Sequence, residues 1–385
     1  MGRTRSNAKR DKSRELIIEK LLLRKEITRQ DLITETGLAP STISGIISDL
    51  INDGMVQKIG AVGSAGFGRK IDILKKVPEY SAIISISLTL ENSNISLIDF
   101  GLNAVATKDL GIDPENNRDI SDILIDAIKG FSDQYSNRNI VAVSLALPHH
   151  PFQGNRIKQR LVEALNLPLL ILNNVEAMAV FDYYSRPAGT PDDTVFYIYV
   201  GKGIGSAFII NGHLYRGLNG LASDLGHIHI TDQDILCRCG RTGCLETVAS
   251  EESLKRAMEK HLNRELNSSD ELIDQLMTGL EEHNEKTLEI LSEAAAYLSE
   301  GIHTVISLLD PSKIVLSSRL NRIRPYYASM VESQLYERFL KRSPFSVQRE
   351  YTDFNRSSGV NGAALYAYLC LFCKPDLLIQ PESVQ

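Results

Sequence analysis

The chain has 385 residues, of which 43% are hydrophobic and 23% are charged. This length and composition predict a globular protein with a large core and two or three domains. Without a run of about 18 apolar residues it should not span a membrane, and the polar start MGRTRSNAKRDKSR is unlike a secretory signal. Five cysteines do not make a disulfide framework, so we expect a cytoplasmic location.

The charge is unevenly distributed along the chain. Residues 1–78 contain 15 Lys and Arg against 9 Asp and Glu, whereas the remaining residues contain 27 against 39. A basic N-terminal segment on an acidic body indicates that this segment contacts a polyanion.

Three helices are predicted before residue 53. The first covers 14–24, the second covers 29–36 and ends at Gly37, and the third follows Pro40, with Ser41 as its N-cap or first-turn residue. The apolar stripe of the third helix is Ile43, Ile46, Ile47, Leu50 and Ile51. The opposite face is small and polar, which is typical of the recognition helix of a helix-turn-helix. The predicted DNA-contacting residues there are Ser41, Thr42, Ser44 and Ser48.

Two strand-like runs, MVQKIG and RKIDILKK, flank the glycine-rich stretch GAVGSAGFGRK. This pattern predicts a wing whose Arg69 and Lys70 contact phosphates or the minor groove. Residues 1–78 are therefore predicted to form a winged helix-turn-helix that binds double-stranded operator DNA. The alternative is a small helical domain for dimerisation or protein binding.

The body alternates strands and helices. A three-strand meander after residue 79, then a helix near 118–135 and two buried strands, form one group, and a second strand-rich group starts at 194. Asn211-Gly212 predicts a hairpin turn. Two such groups, each followed by helices, predict an α/β protein with two lobes and a cleft between them.

Three of the five cysteines fall within CRCGRTGC at 237–244. Together with His227, ten residues upstream, Cys237, Cys239 and Cys244 offer one nitrogen and three sulfur ligands. Four such ligands suit a closed, structural zinc site. The Cys-x-Cys spacing alone leaves open the alternative of small buried thiols.

The order of a winged helix, a strand meander, LNNVEA, GKGIG, SDLGH, CRCGRTGCLE and GVNGAALYAY resembles the ROK family over nearly the whole chain. The resemblance is strongest to its repressor branch. It implies a two-lobed actin/hexokinase-like (ribonuclease H-like) body and a structural Zn²⁺. The implied small lobe covers 79–193 and is completed by a C-terminal helix at about 359–375, and the implied large lobe covers 194–358.

The resemblance also implies a site for a sugar or sugar-phosphate effector. Its residues would be Asn173, Asn174, Asp224, His227 and Glu246. Carboxylate oxygens accept hydrogen bonds from sugar hydroxyls. The alternative for Glu246 is a carboxylate at the N-terminus of a helix. The family further implies a homodimer or a dimer of dimers.

The family's kinases need a catalytic aspartate, which is replaced here by Asn174, an amide that cannot act as a base. The phosphate loop is replaced by SISLTLENS, without glycine, and a Gly-Gly pair by Ser317-Ser318. Only the glycines of 201–205 remain. Without a base and a phosphate cradle we expect no phosphoryl transfer and no catalytic residue.

Three functions follow as hypotheses from different classes. The first is a repressor of carbohydrate-metabolism genes with a degenerate sugar-kinase body. The second is an active sugar kinase with a DNA-binding head. The third is a dimerisation or docking scaffold that binds no ligand.

Overall fold

The computed structural model describes residues 5–62, 71–89, 93–112, 120–148, 153–186, 194–320, 322–341, 347–353, 355 and 357–373. The chain divides into two compact units. Unit 1 consists of residues 1–187 and 357–385, and unit 2 of residues 188–356. Unit 1 thus contains both ends of the chain.

The N-terminal part of unit 1 combines three helices with a three-stranded sheet. The elements are α1 (Arg5–Leu23), β1 (Glu26–Thr28), α2 (Arg29–Thr36), α3 (Pro40–Asn52), β2 (Val56–Val62) and β3 (Ile71–Lys76), with β3 between β1 and β2. The stretch 63–70 between β2 and β3 lies outside the described residues.

Local signals fix the ends of these helices. Thr28 and Asp31 form a capping box at the start of α2, which satisfies two backbone N–H groups that the helix leaves unpaired. The left-handed Gly37 (φ 64°) ends that helix. Pro40 is in the first turn of α3 with Ala39 as N-cap, so Ser41 is a first-turn residue and not the cap. The first helix begins at Arg5, nine residues before the apolar pattern that predicted it.

The remaining elements of unit 1 surround a five-stranded sheet of order β6-β5-β4-β7-β8. The strands are β4 (Ala82–Leu88), β5 (Ser93–Asp99), β6 (Ala104–Asp109), β7 (Ile140–Leu147) and β8 (Leu169–Asn173). The helices are α4 (Ser121–Gln134), α5 (Gln153–Ala164), α6 (Asn174–Ser185) and α12 (Ser358–Cys373). Strands β4, β7 and β8 are parallel, and β5 and β6 extend the sheet antiparallel. The predicted meander is therefore present.

Helix α12 is buried along most of its length and packs against α6 and against α1. A Cβ on Gly362 would lie 1.8 Å from the carbonyl oxygen of Ala177, so glycine is what allows the backbones of α12 and α6 to touch. The hydroxyl of Tyr368 lies 3.2 Å from the carbonyl oxygens of both Ser81 and Ile98, which share its one proton. The C-terminal helix is therefore an integral part of the core of unit 1.

Unit 2 contains a second five-stranded sheet, of order β11-β10-β9-β12-β13, with the same pattern of a meander followed by two parallel strands. Its strands are β9 (Thr194–Val200), β10 (Ile204–Ile210), β11 (His213–Leu214), β12 (Lys313–Ser318) and β13 (Gln348–Asp353). Its helices are α7 (Glu246–Ala249), α8 (Glu251–Leu262), α9 (Ser269–Glu281), α10 (Glu285–Leu309) and α11 (Arg324–Leu335). Asn211 and Gly212 both have positive φ, as the predicted hairpin turn requires.

Across the described ranges, no helix has the length and apolar character needed to cross a bilayer.

Candidate metal centre and ligand-binding residues

The cysteine-rich loop of unit 2 folds back on the segment that carries His227. The amide of Ile230 donates to the carbonyl of Gly243 at 2.8 Å, and that of Leu245 to Ile228 at 3.0 Å. Between these segments, Gly240 N–H donates to Cys237 O at 2.9 Å and closes a tight turn. Gly240 and Gly243 have φ of 85° and 76°, a conformation that suits glycine. The two glycines thus let the loop bring its cysteines to one point.

His227, Cys237, Cys239 and Cys244 converge, with their four ligand atoms all within 4.8 Å of one another. The Sγ atom of Cys237 is 3.4 Å from His227 Nδ1, and the Sγ atoms of Cys239 and Cys244 are 3.6 Å apart. Zinc bonds of about 2.0–2.3 Å in a tetrahedron place ligand atoms roughly 3.5–3.8 Å apart. The four side chains therefore form a group that could hold a metal ion, and its size fits zinc.

The three thiols differ in acidity because their surroundings differ. Burial raises the pKa of Cys237 and also that of Cys244. At Cys239, partial burial is outweighed by hydrogen bonds from Arg241, which lower the pKa to about 6. Metal ligation requires thiolates. The thiols that are protonated before binding must release their protons, so we expect affinity for the metal to fall as pH falls.

Glu246 is the first residue of the short helix α7 and is only 8% exposed. Its Oε1 accepts from Cys237 Sγ at 3.0 Å and from Arg238 Nε at 3.2 Å, and lies 3.8 Å from His227 Nδ1. Its Oε2 accepts from the backbone N–H of Ile204 at 3.4 Å. The carboxylate therefore joins the cysteine-rich loop, residues 231–244 and called the metal loop below, to the start of β10.

The glycines of GKGIG have a packing role in this arrangement. A Cβ on Gly203 would lie 2.6 Å from Glu246 Oε2 and 3.2 Å from Arg238 Nη2. The carbonyl of Gly201 accepts from the N–H of Glu251 at 2.8 Å. The close approach of Glu246 explains Gly203 without a bound phosphate, a role that the sequence pattern did not reveal.

Asp224 is exposed and directly precedes the single turn 225–227 that ends at His227. The N–H of His227 donates to the carbonyl of Asp224 at 3.3 Å. Ser223 has a φ of 68°, a strained conformation for a residue with a side chain. Asp224, His227 and Glu246 thus belong to neighbouring parts of unit 2.

Asn173 and Asn174 belong to unit 1, at the junction of β8 and α6. Asn173 is the N-cap of α6: its Oδ1 accepts from Glu176 N at 2.6 Å, and Glu176 Oε2 accepts from Asn173 N at 2.8 Å. This capping box was missed in the sequence, although Asn-x-x-Glu before an apolar run is its signature. Asn174 Oδ1 is buried and accepts no hydrogen bond, so it is the unsatisfied acceptor at this turn.

The DNA-contacting residues predicted on α3 lie on its solvent side. Ser41 and Ser48 are exposed and Thr42 and Ser44 are half-buried, while the apolar stripe is in the core. Ser48 Oγ donates to Ser44 O at 2.8 Å. Arg69 and Lys70 lie outside the described residues, as do residues 90–92 of SISLTLENS.

Two arginines of α1 neutralise acidic residues near the exposed side of α3. Arg10 pairs with Asp49 at 2.6 Å, and Arg14 pairs with Asp53 at 2.8 Å. The sequence shows these charges but not the pairing, which joins residues 39 positions apart.

Comparison with known proteins matches the chain to one family over most of its length. The profile described as the ROK family matches residues 84–368. The DNA-binding transcriptional dual regulator NagC of Escherichia coli (strain K12) is 23% identical over 86% of this chain and 87% of its own. The xylose repressor of Bacillus subtilis (strain 168) is 25% identical over 92% and 93%. A solved ROK family transcriptional regulator, a homologue of the E. coli MLC protein, superposes with a TM-score of 0.73 at 21% identity, covering 96% of this chain and 98% of its own.

Proposed function

The chain belongs to the ROK family, and on this premise we propose that it is a transcriptional repressor of carbohydrate-metabolism genes that responds to a sugar-type effector. The observation that carries the proposal is the N-terminal arrangement of α1, α2, α3 and the sheet β1-β3-β2 in front of the family's body. Relatives that match 86% and 92% of this chain are named as a regulator and a repressor.

Residues 1–78 form the proposed winged helix-turn-helix. The solvent side of α3 enters the major groove with Ser41, Thr42, Ser44 and Ser48, and Arg69 and Lys70 of the wing contact the backbone. Hydroxyls read bases less specifically than arginine does, so affinity depends strongly on the basic charge of residues 1–78 and falls as salt rises. A homodimer or a dimer of dimers would bind a pseudo-palindromic operator.

The metal of the cluster is proposed to be a structural Zn²⁺. His227, Cys237, Cys239 and Cys244 leave no ligand position for water if all four bind, which is the closed type of site. The ion would fix the loop that leads into α7 and thereby hold Glu246 in place. Metal analysis of the purified protein tests this: we expect about one equivalent of zinc per chain, and less than about half an equivalent would contradict it.

The proposed effector contacts are Asn173, Asn174, Asp224, His227 and Glu246. In unit 1 the support is the unsatisfied Oδ1 of Asn174, an acceptor that a ligand hydroxyl would satisfy at little cost. In unit 2 it is the grouping of the exposed Asp224 with His227 and Glu246. Asn173 already caps α6, so its contact would come from the amide N–H₂.

Phosphoryl transfer is not part of the proposed function. The side chain at the start of α6 is the amide of Asn174, which cannot take a proton from a sugar hydroxyl. A coupled assay for ATP-dependent sugar phosphorylation separates the repressor from the kinase hypothesis. We expect no turnover above background with hexoses, pentoses or amino sugars, and steady turnover would establish the kinase.

A mobility-shift assay with DNA from upstream of the chain's own gene tests DNA binding directly. We expect the wild type to bind at modest salt and Ser44→Glu to lose binding, because a carboxylate on the exposed side of α3 repels phosphates. Ser132→Glu, on α4, is the matched control and should bind as the wild type does. Absence of binding by the wild type would overturn the proposal.

A panel of neutral sugars and sugar phosphates, added to the same assay, tests the effector. A sugar that changes the shift of the wild type but not that of Asn174→Ala supports the sensing role. The ligand-independent scaffold is supported instead if no sugar changes the shift and calorimetry detects no heat of binding.

A further inference from the structure

A cavity of about 600 Å³ lies in unit 2, among α7, α8, α10 and the start of the metal loop. This volume is within the range of small-molecule sites. Its apolar walls are formed by Val248, Leu254, Ala257, Ile290 and Ala294. The cavity has no part in the function proposed above.

The charged groups around this cavity are mostly cationic. Arg256 and Lys260 come from α8 and Lys286 from α10, against the single carboxylate of Glu293. The sequence after residue 78 is acidic overall, so this concentration of cations departs from the character of the surrounding chain. Cations from two helices that face one cavity are typical of a site for an anion.

After the hydrogen bonds and ion pairs within the protein are made, N–H groups of Arg256 and Lys260 remain able to bind a ligand. Arg256 Nη2 donates to the carbonyl of Thr247 at 2.6 Å. This contact anchors the guanidinium and leaves its other N–H groups able to donate to a ligand. Lys286 pairs at the surface with Glu289 at 2.7 Å. In the described part of unit 2, no ion pair involves Lys260 or His261.

Helix stability accounts for part of the pattern only. Lys260 is in the last turn of α8, where a cation interacts favourably with the helix dipole. Lys286 is the second residue of α10, where the same dipole disfavours a cation. The ion pair with Glu289 offsets that penalty, and Lys286 still adds a third cation at the rim of the cavity.

We propose that this cavity binds a small phosphomonoester. The phosphate contacts Arg256, Lys260 and Lys286, and the organic part packs against Val248, Leu254 and Ile290. A phosphate carries about −1.5 to −2 charges at pH 7 and several strong acceptor oxygens, which matches three cations better than a carboxylate does. The guanidinium, anchored through Nη2 to the carbonyl of Thr247, keeps further N–H groups that can donate to phosphate oxygens.

The position of this site gives it a route to the metal loop. Gln233 and Ile235 of that loop line the cavity, and so do Thr247 and Val248, which directly follow Glu246. A ligand there stiffens the segment that holds Glu246. The inference concerns binding only and does not depend on DNA binding or on the sugar-type effector.

The test is equilibrium dialysis of the metal-containing full-length protein against labelled inorganic phosphate and glucose 6-phosphate. We expect saturable binding of both that depends on Arg256 and Lys260, with glucose 6-phosphate the tighter because of the apolar wall. The double variant Arg256→Gln/Lys260→Gln should raise both dissociation constants at least about tenfold, the loss expected for charge-assisted hydrogen bonds.

Lys255→Gln provides the matched control, since Lys255 is on the same helix, pairs with Glu259 and does not line the cavity. It should bind within about twofold of the wild type, a change of well under 1 kcal/mol. Glucose without phosphate should not compete with labelled phosphate. The inference is overturned if binding does not saturate, if the double variant binds like the control, or if the two phosphates bind equally well. A zinc content equal to that of the wild type shows that the double variant is folded.

Discussion

The metal loop of unit 2 and the junction between the N-terminal helices and the rest of unit 1 are held in opposite ways. In the loop, Leu236 is 73% exposed and four potential ligand atoms converge at one point, where the proposed zinc would tie them together. The junction, formed by α1, α12 and residues 76–80, depends on contacts spread over its length. Its aromatic rings include Tyr80, Phe100 and Phe372, with centroids 5.2 to 6.3 Å apart.

This difference sets how each region fails. In a site held by a metal, removal of one ligand weakens the binding energy on which the whole loop depends. A packed junction loses stability in proportion to the atoms removed or the overlap introduced. A single ligand substitution or a chelator should therefore destabilise the loop strongly. Substitutions in the junction should lower stability by smaller amounts that depend on the size of the change.

The largest effect is expected from loss of the metal. Cys237→Ala removes one ligand, and structural zinc is worth on the order of 10 kcal/mol in small peptide sites. We expect the zinc content of the variant to fall below about a tenth of an equivalent and unit 2 to melt on the order of 10 °C lower. Cys373→Ala, a cysteine of α12 outside the cluster, should keep its zinc. Full zinc content in Cys237→Ala would contradict the four-ligand site.

The next largest effect is expected at the contact of α12 with α6. Gly362→Ala puts a Cβ 1.8 Å from the carbonyl oxygen of Ala177, so the helices must separate. Overpacking of this kind costs about 1–3 kcal/mol in the free energy of unfolding, measured by urea denaturation. Gly130→Ala on α4, where a Cβ meets nothing within 4 Å, should instead gain about 0.5–1 kcal/mol. Equal effects of the two would show that the helix contact is not tight.

Lys76 is a buried charged residue in the junction, and its titration makes the stability of the junction depend on pH. Its Nζ donates to the carbonyl of Leu22, the penultimate residue of α1, at 2.6 Å. Burial lowers its pKa from 10.5 to about 8, against the opposing influence of Asp99. Between pH 8 and 10.5 the unfolded chain therefore holds this proton more firmly than the folded chain. Stability contributed by this group rises with pH across that window, by up to about 3 kcal/mol.

Lys76→Met removes this pH dependence. Urea denaturation from pH 7 to 10 should show the wild type gaining stability relative to Lys76→Met as the pH rises above 8. Lys75→Met, at the exposed neighbouring position, should keep a constant difference from the wild type. A constant difference for Lys76→Met as well would mean that the buried ammonium does not titrate with a lowered pKa.

The same contrast explains how much the sequence could predict. In the loop, the information is local: His227 and three cysteines within eighteen residues predict a cluster, and the structure brings those four side chains together. Alternating strands and the Asn211-Gly212 turn were likewise predicted from local patterns and confirmed. Period and turn chemistry act over a few residues, so the sequence displays them directly.

The junction and the contact of α12 with α6 could not be predicted because their partners are far apart in the chain. Nothing near Lys76 indicates that its ammonium ends on the carbonyl of Leu22, and nothing near Gly362 indicates that Ala177 lies against it. The cationic cavity is a similar case, since Arg256 and Lys286 are thirty residues apart. Tertiary packing, not local propensity, creates these features.

The smallest effect is the difference in stability between alanine substitutions at two neighbouring amides at the start of α6. Asn173→Ala removes the N-cap, which is worth about 1 kcal/mol, because Oδ1 accepts from Glu176 N at 2.6 Å. Asn174→Ala removes a buried oxygen without a partner, so stability should be unchanged or slightly higher. The two variants differ by one position and delete the same group, so their urea midpoints can be compared directly. Removal of a structural N-cap must lower the urea midpoint. Removal of a residue that serves only to contact a ligand need not. A loss at Asn174 as large as that at Asn173 would therefore assign both amides to the fold and leave the proposed effector site without its acceptor in unit 1.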